Sequence, residues 1–198
     1  MVFIGDSTVS QSGHALMSMI YEDRGGCADK IAVTRSKHYI FRDFSVKLLH
    51  LKPDICIVNH GAHGSDFAGG IDRSLPTVLN NLRGQLQEYQ KNPDHKNVTF
   101  VWRTNHPGHV NCDNYTAPGI FQYWDSGVDW YSWSRFPEWD EAGKNFSADV
   151  GWQVVDLSPL YTRHDAHPGQ GDCLHFCLPG PIDLIGPLLM QMLYIKEI

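Results

Sequence analysis

The feature that most constrains this chain is an alternation of short, wholly apolar runs with longer stretches of helical period. The runs fall at residues 2–4, 31–34, 54–59, 98–102 and 153–155, and Ile55-Cys56-Ile57-Val58 typifies them. A strand with one wet face alternates apolar and polar side chains, whereas a strand that is apolar throughout must be covered on both faces. Helical stretches lie at 15–21, 44–51, 75–89 and 182–194. The third carries Leu75, Val78, Leu79, Leu82, Leu86 and Tyr89, a spacing that lines one face of a helix. Pro53 stops the second, because proline lacks the N–H and crowds the preceding turn. Parallel strands need long crossover connections, and helices supply them. The expectation is therefore an α/β protein: a three-layer α/β/α sandwich around a mostly parallel central sheet. At 198 residues, 1–198 is read as a single domain.

Composition removes several functions. Lys and Arg total 16 against 22 Asp and Glu, a formal charge of -6. A chain without a basic balance is poorly suited to neutralising phosphates, so no nucleic-acid partner is expected. No apolar stretch approaches the roughly 18–20 residues of a membrane span. The five cysteines, Cys27, Cys56, Cys112, Cys173 and Cys177, form no CxxC pair, which argues against a zinc ribbon or a thioredoxin-like site. Three N-x-S/T sequons, at Asn97, Asn114 and Asn145, point weakly to a secretory lumen or the cell exterior. Residues 2–5 already read as a buried strand, so no signal peptide is expected inside the chain. It is either cytoplasmic or cut from a longer precursor.

One segment breaks the alternation. Residues 105–136 are polar, aromatic and rich in Gly and Pro, with Tyr123, Trp124, Trp130 and Trp133. Long irregular insertions in compact domains are usually functional, and in α/β sheets ligands bind beyond the carboxyl ends of the strands. The bland alternative is a loop packed on its own aromatics.

Two short motifs carry chemistry. Gly5-Asp6-Ser7 sits between the first strand and the first helix. A serine on such a turn can expose its hydroxyl at the sheet edge, with the helix N-terminus favouring developing negative charge. The simpler reading is that Asp6 or Ser7 only caps the helix. The second motif, Asp172-Cys173-Leu174-His175, precedes the last helix. A serine nucleophile needs a base, and the base needs a carboxylate to fix its tautomer. Asp and His three residues apart can meet on one tight turn. In a parallel sheet, the turn after the first strand and the loop after the last can share an edge.

Together these residues resemble the SGNH/GDSL hydrolase pattern, nucleophile first and Asp-x-x-His last. More narrowly, the run from Asp172 to Asp183 is similar to the D-C-x-H-W-C-x-P-G-x-x-D signature of the PC-esterase group, which includes the trichome-birefringence-like polysaccharide O-acetyltransferases. Only Phe176 departs from it, standing for Trp. Arg103-Thr104-Asn105-His106-Pro107-Gly108-His109 resembles that group's R-T-x-S-P-x-H, with His106 in place of Ser. Val9, Ser10, Gln11 and Ser12 occupy the stretch where plant members carry an Arg-Asn pair, and Gly61-Ala62-His63-Gly64 stands where the superfamily has G-x-N-D. The resemblance implies a flavodoxin-like sandwich and two-step acyl transfer without a cofactor. Ser7 would attack an ester carbonyl, with His175 as base held by Asp172. Gly61, His63 and Asn59 are the candidates for oxyanion contacts, and Arg103 and His109 for lining the substrate pocket. The substrate would be a small-molecule or glycan acyl ester, with the acyl group passing to water or to a sugar hydroxyl. Oligomeric state is left open.

Two other classes compete. His60 with His63, His106 with His109, and His164 with His167 could hold zinc together with Asp54, Asp165 or Asp172. Three-residue spacing needs a helix to present both rings, and all three pairs fall in expected loops, so no metal site is assigned. A glycan-binding module without catalysis would fit the Trp-rich segment. Finally, Cys112 is expected to bridge to Cys173 or Cys177 in an oxidising compartment, pinning the long loop to the Asp-His loop, with Cys56 a free core thiol.

Overall fold

The computed structural model describes residues 1–24, 32–35, 44–61, 75–93, 97–120 and 133–195. Five strands, β1 (Val2–Gly5), β2 (Ala32–Arg35), β3 (Ile55–Val58), β4 (Thr99–Arg103) and β5 (Gln153–Val155), form one sheet in the order β2-β1-β3-β4-β5. Every pairing is parallel; Phe3 lies opposite Val33 and Ile57, and Ile57 opposite Val101.

Alternate strand residues feed two cores. Val2, Ile4, Cys56, Val58, Phe100 and Trp102 point to one face, where they meet α2 (Phe44–Leu51), α3 (Leu75–Gln90) and α4 (Phe136–Val150) through Phe44, Leu82, Leu86 and Phe146. Phe3, Ile57, Val101 and Val155 point to the other, against α1 (Ser7–Arg24) and α5 (Ile185–Ile195) through Val9, Leu16, Ile185 and Leu189. This is the expected α/β/α sandwich. Burying each large side chain contributes about 1.5–3 kcal/mol, so both faces of the short strands are strongly held.

Two helices differ from the sequence expectation. α1 begins at Ser7 rather than near residue 15. Its first two turns bury Thr8, Ser10 and Ser12, which hide the apolar period. α4 was not anticipated. Its inward face is Phe136, Trp139, Asp140, Gly143, Phe146 and Ser147, so half of its buried positions are polar or lack a side chain. The helix lies so close to β4 that a Cβ on Gly143 would overlap the Trp102 indole. Pro137 in its first turn and left-handed Gly151 (φ 73°) at its end are ordinary terminators.

Candidate active site

The carboxyl end of β1 turns directly into α1. Asp6, buried at 2% exposure, accepts the Thr8 N–H at 2.9 Å and the Thr8 hydroxyl at 2.7 Å through one carboxylate oxygen. That contact caps the helix. With Asp6 as the cap, Ser7 becomes the first helical residue and its side chain is left at the rim of the sheet. Both sequence readings of the turn hold at once: one residue caps, the next is presented.

Opposite Ser7 lies the 172–177 loop. His175 Nε2 is 2.9 Å from Ser7 Oγ, and His175 Nδ1 is 3.0 and 3.1 Å from the two Asp172 carboxylate oxygens. Asp172 also accepts the backbone N–H groups of His175 at 3.1 Å and Leu174 at 3.3 Å, an Asx-type turn that folds the loop on itself. Partial burial works against the Asp172 carboxylate. The His175 N–H, the His175 imidazole and the Leu174 N–H outweigh it and leave Asp172 below its usual range. A carboxylate kept ionised beside Nδ1 fixes the tautomer in which Nε2 can accept the serine proton.

No helix or strand carries this loop, and separate ties hold it. Gln11, one turn along α1 from Ser7, donates to the Phe176 carbonyl at 2.5 Å and accepts the Phe176 N–H at 3.1 Å. Cys173 is bonded to Cys112, 61 residues away. The His109 N–H donates to the Cys173 carbonyl at 2.8 Å, and the Cys177 N–H to the Ala166 carbonyl at 2.9 Å. His167 Nδ1 lies 2.7 Å from the His175 carbonyl, and its ring stacks on Phe176 with centroids 4.7 Å apart. The bridge takes the first of the two expected partners. Cys56 is buried and free, its thiol pushed up by burial, and Cys177 is exposed and free. Cys27 lies outside the described residues.

Several residues expected at the pocket wall lie elsewhere. Arg103 is fully buried behind the Ser7 turn, donating to the Thr8 hydroxyl and carbonyl at 3.4 Å and lying 2.7 Å from His106 Nδ1. Burial lowers its pKa to about 10, against the attraction of Asp6 and Asp140. His109 is buried at 1%. Both are held by polar partners, and neither is among the residues lining the cleft beside His175. Asn59 is likewise spent: its amide donates to the Arg103 carbonyl at 2.8 Å and to Asn105 Oδ1 at 3.1 Å, leaving no N–H for an oxyanion. Gly61 packs so tightly on Asn105 that a Cβ would overlap the amide. His63 lies outside the described residues.

Behind these residues runs a polar network that no motif announced. Asp140 on α4 accepts the Asn105 N–H at 2.7 Å, the Asn105 amide at 2.6 Å and the Tyr161 hydroxyl at 2.8 Å. Burial pushes Asp140 up to about 7, against those hydrogen bonds and Arg103. For Gln11 a signal did exist, since its i+4 spacing from Ser7 puts both on one helix face. Asp140 and Tyr161 carried none.

Beside His175 opens a cleft of about 630 Å³, lined by Asn111, Asp113, Trp133, Gln170, Asp172 and His175 among others. Trp133 is only 7% exposed and belongs mainly to a small core with Phe136, Trp139 and Leu174. Tyr123, Trp124 and Trp130 lie outside the described residues. Among the described residues, the one group with metal-ligand geometry is Cys112, Asp113 and Cys173, and its two sulfurs are tied to each other. His109 and His167 turn their nitrogens on one another and on backbone carbonyls.

Comparison with known proteins gives a consistent picture. No family model matches the chain. In sequence it is 28% identical over 159 residues to "Protein trichome birefringence-like 25" of Arabidopsis thaliana, covering 58% of this chain and 34% of that protein. It is 30% identical over 122 residues to "Xyloglucan O-acetyltransferase 4" of Populus trichocarpa, covering 50% of this chain and 28% of the relative. The chain thus spans about a third of the length of the curated relatives it matches. In structure it superposes on the acetyl xylan esterase AlAXEase with a TM-score of 0.62 at 15% identity, over 96% of this chain and 98% of the other. A GDSL-like lipase from Bacteroides thetaiotaomicron gives 0.59 at 12% identity, over 100% and 88%. The chain has the fold of GDSL-type esterases and lipases, and in sequence it is similar to a trichome birefringence-like protein and to a xyloglucan O-acetyltransferase.

Proposed function

We propose that this chain is a serine-dependent acyl-ester hydrolase or O-acetyltransferase acting on an acetylated carbohydrate. The observation that carries this reading is the continuous line of hydrogen bonds from Ser7 Oγ through His175 to Asp172. Ser7 attacks the ester carbonyl as His175 Nε2 takes its proton, and Asp172 stabilises the imidazolium that results. The tetrahedral oxyanion forms at the N-terminus of the 18-residue α1, where the Ser7 N–H and the helix dipole favour negative charge. His175 returns the proton to the leaving alkoxide, which departs as an alcohol and leaves acetyl-Ser7. Water or a sugar hydroxyl, deprotonated by His175 in turn, then releases the acetyl group.

Acetate and acetyl-sugar products share this intermediate. Water stands at about 55 M, and a well-oriented acceptor can reach effective molarities of roughly 10⁵ M or more. Transfer therefore requires an acceptor seated beside Ser7, and the cleft against His175 and Asp172 is the place for it. The two curated relatives, one of them a xyloglucan O-acetyltransferase, favour a polysaccharide acceptor. The test supplies p-nitrophenyl acetate with candidate oligosaccharides and follows acetate and acetylated sugar separately. Turnover of the small ester is expected, with sugar product appearing for the matching glycan. Acetate release unaffected by every glycan tried would remove the carbohydrate part and leave the esterase.

The compartment proposed is oxidising, secretory or extracellular. The Cys112–Cys173 bridge supports it, as do the exposed sequon residues Asn97, Asn114 and Asn145.

A further inference from the structure

His109 and His167 form an unbroken line between two backbone carbonyls. His109 Nε2 lies 2.9 Å from the Tyr161 carbonyl, His109 Nδ1 lies 2.5 Å from His167 Nε2, and His167 Nδ1 lies 2.7 Å from the His175 carbonyl. Both ends of the line are oxygens that can only accept. Each of the three contacts therefore needs a proton, and two neutral imidazoles carry two. If both rings are neutral, one contact brings two lone pairs together at hydrogen-bond distance. One added proton satisfies all three.

We propose that His109 and His167 share one extra proton, and that this cationic pair positions the His175 base by gripping its backbone carbonyl. The inference rests on the reading of His175 as the base. The charges around the pair are mixed. Asp165 favours a charge on His109, and Asp172 favours one on His167. His164, whose ring centroid is 4.0 Å from that of His109, opposes it, as do His175 beside His167 and the buried His106, on which both rings bear as like charges. Tyr115 and Phe176 cover the cluster with uncharged rings. Burial and the neighbouring histidines, His167 among them as a like charge set against His109, bring His109 down to about 3 and lower His167, outweighing the Tyr161 and His175 carbonyls. Against this stands the contact between the rings themselves: a single proton shared there turns a lone-pair repulsion into a charge-assisted hydrogen bond. The grip acts on the residue between Asp172 and Phe176, so losing it frees the His175 ring to swing from Ser7 Oγ. A displacement of about 1 Å at a reacting group can cost roughly 100-fold in rate.

The experiment combines histidine ¹⁵N NMR of the whole chain with pH–rate profiles on p-nitrophenyl acetate, for wild type, H109N and H167F. Asparagine at 109 can place an N–H where His109 Nδ1 stands and donate to a neutral His167, so H109N keeps the grip without the extra proton. Phenylalanine at 167 keeps the stacking on Phe176 and loses the grip. In wild type at neutral pH, one imidazole should carry protons on both nitrogens, and this signal should vanish in both variants. The wild-type rate should fall on the alkaline side as that proton is lost. H109N should lack this alkaline fall, and H167F should lower kcat roughly 10- to 100-fold with little change in KM. Two neutral rings in wild type at neutral pH would overturn the proposal, and so would a doubly protonated signal persisting in both variants. If no ester is turned over at all, the catalytic reading fails, while the NMR result still decides the shared proton.

Discussion

The two halves of the candidate site are built by opposite means. Ser7 is placed mainly by regular structure: β1 ends, Asp6 caps, α1 begins, and the capping contacts span two to four residues, with Arg103 as a long-range brace on Thr8. His175 sits in a loop outside the named helices and strands, and most of what holds that loop comes from far along the sequence. Gln11 is 165 residues from Phe176, and Cys112 is 61 from Cys173. A nucleophile set on a helix N-terminus is as rigid as the sheet. A base set on a tethered loop is only as well placed as its tethers, and loosening them should damage catalysis before it damages the fold.

Removing the tethers should therefore have graded effects. The double change C112A/C173A opens a closed loop of 61 residues and should cost about 4 kcal/mol on the chain-entropy account. Denaturant unfolding of the two proteins measures it. A loss of only a few tenths would mean the base loop is pinned without the bridge. Q11A removes two hydrogen bonds to Phe176, a loss of about 1–3 kcal/mol in stability. Its kcat should fall roughly tenfold while KM holds, because the loop shifts toward the loose end of the range for misplaced groups. If Q11A lowered stability without touching kcat, the tether would be merely structural.

The polar network behind the nucleophile gives the smallest effect and the clearest sign. Asp140 is raised from 3.8 to about 7 by burial, against its hydrogen bonds from Asn105 and Tyr161. Between those two values the folded protein keeps a proton that the unfolded chain has lost. This group's contribution to stability is therefore complete below about pH 4 and declines as pH rises toward 7. Thermal unfolding across that window should show a falling Tm component, and D140N, which can still accept both Asn105 N–H groups, should flatten it. A Tm that rises over the same range equally in both proteins would contradict this.

The contrast between the halves also explains what the sequence revealed. Strands, most helices and the Ser7 turn were legible because their signals are local: apolar runs, 3–4 spacing, a cap beside a serine. The pairing of Asp172 with His175 was legible for the same reason, being three residues long. α4 was obscured because Asp140, Gly143 and Ser147 sit on its inner face, and that face is polar because it supports Asn105 and Tyr161. Arg103 and His109 were expected at the pocket, and Asn59 at the oxyanion, on the family resemblance. Here they pair with one another and with buried backbone, a satisfaction of hydrogen bonds that only the assembled fold defines.

The central claim is that Ser7 becomes acylated with His175 as its base. Incubation with p-nitrophenyl acetate, rapid acid quench and peptide mass analysis tests it most directly. An acetyl group should appear on the peptide containing Ser7 in wild type, more slowly by orders of magnitude in H175A, and not at all in S7A, whose turnover should be almost abolished. Undiminished turnover by S7A, or an acetyl group forming only on another residue of a protein that still turns over, would contradict the account.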